Sequence, residues 1–171
     1  MTYLISGTHA AGDSARLAAA LNTVASYAGH AATQLERGLG APPAPGLPRS
    51  DAALRQSNTQ AGHAVRTLQS EVLPQADLLK GIDGDGYAHK IATDAEQHLE
   101  AGIRAIRDDY RMSDMIDGVA ALPEGSSLVA IAMFKAARDE AATAADLITF
   151  HGAERHTILD QLPPDVGGAL A

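Results

Sequence analysis

The sequence predicts an all-α fold, a four-helix bundle with its helices in up-down-up-down order. In four long segments, apolar residues recur at spacings of three and four, as on one face of a helix. Short or proline-rich links join these segments, and the sequence lacks the strict apolar–polar alternation of a strand. Alanine is abundant and aromatic residues make up only 4% of the chain, which favours helices packed closely through small side chains.

The first predicted helix covers residues 13–39. Asp13 or Ser14 is the expected N-cap, and Gly38 is part of the expected stop. Its apolar stripe consists of Leu17, Leu21, Val24, Ala28, Ala31 and Leu35. The linker over residues 40–49 contains four prolines, which remove amide donors, so we expect a surface connection between helices one and two.

The second predicted helix begins near Ser50 or Asp51, just after Pro48. Its apolar stripe consists of Leu54, Ala61, Val65, Leu68 and Val72. Pro74 interrupts this pattern, because proline lacks an amide hydrogen and its ring clashes with the preceding turn. We therefore expect a kink there, or a break followed by a short turn over residues 75–80.

The third and fourth predicted helices form a hairpin. Helix three runs from about Tyr87 to Asp117, and helix four from about Ser126 to Gln161, where prolines end it. The stripe of helix three is Ile91, Ala95, His98, Gly102, Ile106 and Tyr110. That of helix four is Ile131, Phe134, Ala141, Ala145, Ile148, Ile158 and Leu159.

The expected domain organisation is a single helical-bundle domain over residues 13–162. Residues 1–12 are predicted to be an N-terminal extension, and residues 163–171 a C-terminal tail. A chain of 171 residues is long enough to bury one sizeable core, but short for two. Many of the buried groups would be alanine methyls, so the core is expected to be thin.

The start of the chain and its composition bear on location. The first eleven residues lack the basic and continuous apolar regions of a Sec signal peptide. The sequence also lacks a run of about 20 apolar residues that would span a membrane. We expect a soluble protein made in the cytoplasm, with incorporation into a particle or export by a non-Sec route left open.

Composition also limits the chemistry and the partners. The chain has no cysteine, which excludes disulfides, thiol nucleophiles and thiolate metal ligands. Its formal charge of −8, without a run of lysine or arginine, argues against nucleic acid as a partner. A protein partner or self-association is expected instead.

The stretch LLKGIDGDGYAHKI, residues 78–91, half-resembles the calcium loop of an EF-hand. Placing Asp83 and Asp85 at loop positions 3 and 5 puts Gly86 at position 6, as required. Position 1 is then Gly81 and position 12 is Ala92, so two ligands are missing. The alternative register loses the glycine, and we therefore expect an inter-helix turn with positive φ at glycine and Asp85 as the cap of helix three.

A metal site is predicted on helices three and four. In an antiparallel hairpin that turns near residues 122 and 123, residues whose numbers add up to about 245 lie level. Asp94 then lies level with His151, and His98 lies one turn along on the same face. One carboxylate and two imidazoles suit zinc or non-haem iron. His89 and His156 would lie level with each other nearby.

Other sequence features oppose a metal site and a catalytic site. The Glu-x-x-His motifs of di-iron bundles are missing, and an i,i+4 hydrogen bond between Asp94 and His98 is an alternative use of both residues. The sequence also lacks a Gly-x-Ser-x-Gly elbow and a P-loop. We therefore expect no cofactor, with a divalent metal as the alternative, and the sequence favours a non-enzymatic protein while leaving that question open.

Residues 107–114, RDDYRMSD, contain a Tyr-x-x-x-Asp formed by Tyr110 and Asp114. This pair is similar to the export signal of the small helical-hairpin substrates of type VII secretion. The resemblance covers these two residues, and it implies export through a secretion apparatus. Those families carry Trp-x-Gly in the turn between two helices, whereas this chain has no tryptophan.

Taken together, these patterns favour a non-enzymatic helical interaction or structural protein. It would be a subunit or adaptor of a larger assembly, by type a phage-particle or secretion component. One alternative is a metal-binding bundle protein that uses Asp94, His98 and His151. Another is a small acidic inhibitor that presents carboxylates to a basic partner. Its carboxylates would be Asp108, Asp109, Asp114 and Asp117.

Overall fold

The all-α fold is confirmed. The computed structural model describes residues 3–40, 51–83, 86–113 and 124–161, and apart from Gly86 these residues are helical, with no strand among them. Their side chains are described over residues 12–39, 52–79, 86–107 and 127–151. The α-helices are α1 (Tyr3–Gly40), α2 (Asp51–Thr67), α3 (Ala76–Asp83), α4 (Tyr87–Ser113) and α5 (Glu124–Gln161).

Helices α2 and α3 follow each other without a loop and together make the second of four bundle helices. A π-helical turn, Leu68–Val72, and a 3₁₀ turn, Leu73–Gln75, connect them. The α-helix is therefore interrupted at Pro74 as predicted, but the residues after it form helix α3 where a short turn over residues 75–80 was expected. The wider π turn accommodates Pro74, whose ring would clash with the preceding turn of an α-helix. The side-chain amide of Gln75 donates a hydrogen bond to the Glu71 carbonyl at 2.7 Å.

Contacts between α1 and α2 show that these two helices run antiparallel. The Ser57 hydroxyl donates to the Ala31 carbonyl at 2.9 Å. Further along, the rings of Tyr27 and His63 stack with centroids 5.3 Å apart. Near the end of α1, a Cβ built on Gly38 would lie 2.6 Å from the Ala53 Cβ, at the start of α2. Earlier positions on α1 therefore meet later positions on α2.

The remaining neighbouring helices are also antiparallel. Lys135 of α5 pairs with Glu36 of α1, and Arg138 lies beside Gly29. Helices α4 and α5 pair through His98 and Glu140. Since α1 packs against α2 and α5 while α4 packs against the same two helices, the bundle has the predicted up-down-up-down order with α1 diagonal to α4.

The predicted apolar stripes form the core. All six stripe residues of the first predicted helix are buried. In the other helices, every stripe residue whose side chain is described is also buried, except Val65 and His98, which are half-buried. Tyr110, Ile158 and Leu159 lie outside the described side chains. The largest fully buried side chain is Phe134 on α5, which packs against Gly102 on α4.

The first helix begins earlier than predicted. Helix α1 starts at Tyr3 and not at Asp13, so most of the expected N-terminal extension is helical. Glycine costs about 0.5–1 kcal/mol in a helix interior, which is too little to end a long helix at Gly7 or Gly12. Asp13 therefore sits inside the helix and does not begin it.

Gly86 forms part of the turn that was compared with a calcium loop. Its φ of 69° lies in the left-handed region that glycine adopts without strain, and its carbonyl accepts the Lys90 amide at 3.0 Å. Gly81 is helical, at the end of α3. The expected cap Asp85 lies outside the described residues, as do residues 41–49 of the predicted linker, residues 114–123 and the C-terminal tail.

Ser57 is the buried polar link between α1 and α2. Replacing it with alanine is expected to lower the free energy of unfolding by about 1 kcal/mol, because the hydrogen bond to the Ala31 carbonyl is lost from a fully buried position. Thr59, whose hydroxyl bonds within its own exposed turn, is the matched control. Equal losses for Ser57→Ala and Thr59→Ala in urea unfolding would contradict this assignment.

Candidate functional site

Two of the residues predicted to bind metal have other partners in the structure. One carboxylate oxygen of Asp94 accepts a hydrogen bond from the Lys90 ammonium at 2.7 Å. The two residues form an i,i+4 ion pair on the surface of α4. This hydrogen bond raises the pKa of Lys90. The His98 Nδ1 lies 2.8 Å from a carboxylate oxygen of Glu140 on α5. The Asp94–His98 contact considered from the sequence is therefore replaced by one pair within α4 and one between α4 and α5.

Of the other histidines in the predicted site, His151 lies eleven residues along α5 from Glu140, and His89 lies nine residues along α4 from His98. The ring of His151 meets the ring of Phe150 edge to face, with centroids 5.6 Å apart. His89 is half-buried on α4, and the side chain of His156 lies outside the described residues. Among the described side chains, no group of three His, Asp or Glu residues could hold a metal ion. Metal binding by Asp94, His98 and His151 stays a prediction.

The hairpin register used for that prediction is wrong. Facing residue numbers add up to 238 for His98 and Glu140, and to 236 for Gly102 and Phe134, where the prediction used about 245. The shift of about eight residues moves His151 about 12 Å along the axis from the level of Asp94. The turn was placed near residues 122 and 123, whereas the midpoint between Ser113 and Glu124 lies several residues earlier.

The His98–Glu140 pair fixes the register of α4 against α5. Both side chains are partly exposed, so the pair is expected to stabilise the bundle by about 0.5–1 kcal/mol in a double-mutant cycle at low salt. The cycle uses His98→Ala, Glu140→Ala and the double variant. The exposed Arg138–Asp139 pair, which lies within one helix, is the control. A coupling energy of zero for His98 and Glu140 would contradict the assignment.

A groove lies along the seam between α2 and α4, the most loosely packed of the four seams. It has a volume of about 370 Å³, within the usual range of small-ligand pockets. Its lining comprises Gly62, Val65, Glu100, Ile103, Arg104 and Arg107. The groove thus combines two basic residues, one acidic residue and two apolar residues, a grouping that was not predicted from the sequence.

Helix α5 carries a second apolar face that points away from the core. Leu128, Val129 and Phe150 are 54%, 51% and 60% exposed, unusually high values for large apolar side chains. Ala132 is also exposed, while Met133, Ala136 and Leu147 are half-buried. Of the four large hydrophobic residues that the described part of the chain exposes, three belong to this helix and the fourth is Tyr87.

Comparison with known proteins does not place the chain in a family. It matches no known family, no curated protein and no solved structure. None of the described helices is long and apolar enough to cross a membrane.

Several charged residues lie near the middle of the described part of α5, and Asp146 is exposed nearer its carboxyl end. Arg138 Nε donates to a carboxylate oxygen of Asp139 at 2.8 Å, which lowers the pKa of Asp139 and raises that of Arg138. Glu140 is held by His98, and Lys135 by Glu36. Apolar side chains therefore lie towards both ends of the described part of α5, and charged pairs lie between them.

The second face of α5 was not predicted, although the residues that form it are visible in the sequence. The stripe through Phe134 and Ile148 predicts the buried side of the helix and carries no information about the opposite side. The signal is the absence of a consistently polar side: Leu128, Val129 and Phe150 stand where a surface helix usually carries charged residues. The solvent side of α4, by contrast, is polar and carries Lys90, Gln97, Glu100 and Arg104.

Proposed function

We propose that the protein is a non-enzymatic helical interaction protein, a subunit or adaptor of a larger protein assembly, and that the outer face of α5 is its contact surface. This outer face consists of Leu128, Val129, Ala132, Met133, Ala136, Thr143, Leu147 and Phe150. The observation that carries the proposal is the exposure of three large apolar side chains on one helix. A cluster of large exposed apolar side chains on a protein surface commonly marks a contact with another molecule.

The energetics support a contact at this face. Full burial of one Leu, Val or Phe side chain is worth about 1.5–3 kcal/mol, so covering the face with a partner removes a considerable cost of leaving it in water. Small residues, Ala132 and Ala136, lie between the large ones and let a second helix approach closely. The face therefore suits another α-helix better than an irregular loop.

The proposal names only the general type of assembly to which the protein belongs. A phage particle or a secretion apparatus fits a small acidic bundle that is made in the cytoplasm as a soluble protein and then incorporated or exported by a non-Sec route. The Tyr110–Asp114 resemblance to type VII export signals points the same way. Both side chains lie outside the described ones, so no contact supports this point.

The other two functions predicted from the sequence have no described contact in their favour. The acidic-inhibitor hypothesis relies on Asp108, Asp109, Asp114 and Asp117, whose side chains lie outside the described ones. The metal hypothesis is tested by metal analysis of tag-free protein. More than about half an equivalent of zinc, iron or manganese that is lost in His98→Ala would support it, and less than a tenth would end it.

The proposed function is tested by native mass spectrometry of the complexes recovered from the source of the protein. We expect the wild-type chain in a complex with itself or with another protein. Val129→Glu places a charge on the contact surface and should release the chain, whereas Asn22→Glu on an exposed position of α1 should not. A wild-type chain recovered only as a free monomer would overturn the proposal.

A further inference from the structure

We propose that the groove between α2 and α4 is a binding site for a small organic anion, a carboxylate that carries an apolar body. The inference goes beyond the proposed function, because the groove belongs to a different part of the bundle surface from the outer face of α5. Three features of the groove support it: an open floor, unpaired positive charge and an apolar lining. The lining residues are Gly62, Val65, Glu100, Ile103, Arg104 and Arg107.

The open floor of the groove follows from one glycine. Gly62 lies on the side of α2 that faces α4, and a Cβ built there would meet no atom within 4 Å. Two turns further along α2, the side-chain amide of Gln69 donates a hydrogen bond to a carboxylate oxygen of Glu96 at 2.7 Å, which joins the two helices there. The helices are thus linked beside the groove, while the missing side chain at Gly62 leaves space that a ligand can enter.

Two arginines line the α4 side of the groove without a partner. Arg104 and Arg107 are exposed, and neither side chain forms an ion pair or a hydrogen bond with another residue of the described part of the chain. By contrast, Lys90, Lys135 and Arg138 are each bound by a carboxylate. The two guanidinium groups, three residues apart on one side of α4, are therefore available to a carboxylate, which arginine binds through charge-assisted hydrogen bonds.

Glu100 is the acidic residue of the lining. It lies four residues before Arg104, a spacing at which glutamate and arginine commonly pair, yet the described contacts contain no ion pair between them. The lining therefore keeps one negative and two positive charges, a local excess of positive charge in a chain whose formal charge is −8. A ligand with a single carboxylate balances that excess. Because Glu100 repels the same carboxylate, its charge limits the affinity of the site.

The apolar part of the lining favours an organic anion over an inorganic one. Val65 on α2 and Ile103 on α4 are both half-buried beside the groove. A ligand that covers these side chains removes apolar surface from water, a gain that phosphate or sulfate cannot make. The volume of about 370 Å³ is near the lower end of the usual range for small-ligand pockets, so it suits a single ring or a short chain beside the carboxylate.

Titration of the full chain with phenylbutyrate, followed by backbone amide chemical shifts, tests the site. This probe joins one carboxylate to a short chain and a ring. We expect saturable shift changes centred on Gly62, Val65 and Ile103, with a dissociation constant of about 1 mM or lower. Phenylbutyramide has the same shape without the charge and should bind at least about fivefold more weakly. Acetate lacks the apolar body and should not saturate the site at about 10 mM.

Variants of the lining separate the charge of the groove from its shape. Arg104→Gln and Arg107→Gln should each weaken phenylbutyrate binding about three- to tenfold, since each removes a charge-assisted hydrogen bond. Glu100→Gln should strengthen it about two- to threefold by removing a like charge. Arg37→Gln, at an exposed arginine of α1 that also has no partner among the described residues, is the matched control and should change nothing. Gly62→Leu keeps every charge but fills the floor, so it should abolish saturable binding with unchanged helical circular dichroism.

Any of four results would overturn the site. Equal binding of phenylbutyrate and its amide would mean that the arginines do not hold the ligand, and undiminished binding by Gly62→Leu would place the probe outside the groove. Shift changes confined to α5 would place it on the outer face of that helix. The absence of saturable shifts up to about 10 mM phenylbutyrate would leave the groove without a ligand of this class. None of these results bears on the protein contact of α5, which Val129→Glu tests separately.

Discussion

Replacing Phe134 with alanine is expected to lower the free energy of unfolding by about 3–5 kcal/mol. Phe134 is fully buried and is the largest side chain in the core. Alanine would leave a cavity between α4 and α5 that the surrounding small side chains cannot fill, so both the transfer free energy and the packing of the ring are lost. Urea unfolding of the two proteins, at a concentration where the chain is monomeric, measures the difference.

Phe150 provides the matched control for Phe134. It lies on the same helix with 60% of its surface exposed, so Phe150→Ala should change the stability of the monomer by less than about 0.5 kcal/mol. The same variant should weaken the proposed contact of α5 with its protein partner. Equal destabilisation by the two substitutions would mean that the inner and outer faces of α5 are wrongly assigned.

Replacing Gly102 with alanine is expected to lower the free energy of unfolding by about 1–3 kcal/mol, although alanine is the better helix former. A Cβ built on Gly102 would lie 2.5 Å from Cε1 of Phe134, far inside van der Waals contact. The ring is fully buried, so moving it displaces its other neighbours. The overlap between the new methyl group and the ring should therefore outweigh the gain in helix propensity.

Gly62 on α2 is the control for Gly102, because a Cβ built there meets no atom within 4 Å. Gly62→Ala should raise the free energy of unfolding by up to about 1 kcal/mol through helix propensity alone. Combining Gly102→Ala with Phe134→Leu should cost less than the sum of the single changes, since the smaller side chain makes room for the methyl group. Additive losses, or stabilisation by Gly102→Ala alone, would contradict the contact.

The core-facing side of each helix could be predicted from the sequence. The spacing of apolar residues directly reports which side of a helix is buried, and for this reason the stripes through Leu17 and Phe134 were identified correctly. The break at Pro74 was also predictable, because the loss of an amide donor is a property of one residue. These features depend on local chemistry and need no knowledge of how helices are paired.

The relative heights of the helices could not be predicted with the accuracy that a site requires. An error of a few residues at the ends of helices three and four displaced the predicted level of His151 by about two helical turns, and the actual partner of His98, Glu140, was not considered. The start of α1 at Tyr3 shows the same weakness, because glycines near a helix end do not fix the boundary.

The outer face of α5 illustrates a different limit. Leu128, Val129 and Phe150 are visible in the sequence. A prediction that assigns one apolar stripe to each helix, however, overlooks a second stripe on the opposite side. The exposure of these side chains in the folded chain separates the two faces, since only packing against α1 and α4 decides which one belongs to the core.

Hydroxyl-radical footprinting tests most directly whether α5 is the contact surface, whatever its partner. Labelling of Leu128, Met133 and Phe150 is compared between the associated protein and the dilute monomer, with Val65 and Ile103 of the α2–α4 groove as internal controls. Association through α5 should protect its side chains and leave the labelling of the groove unchanged. Protection of the groove with full labelling of α5 would contradict it.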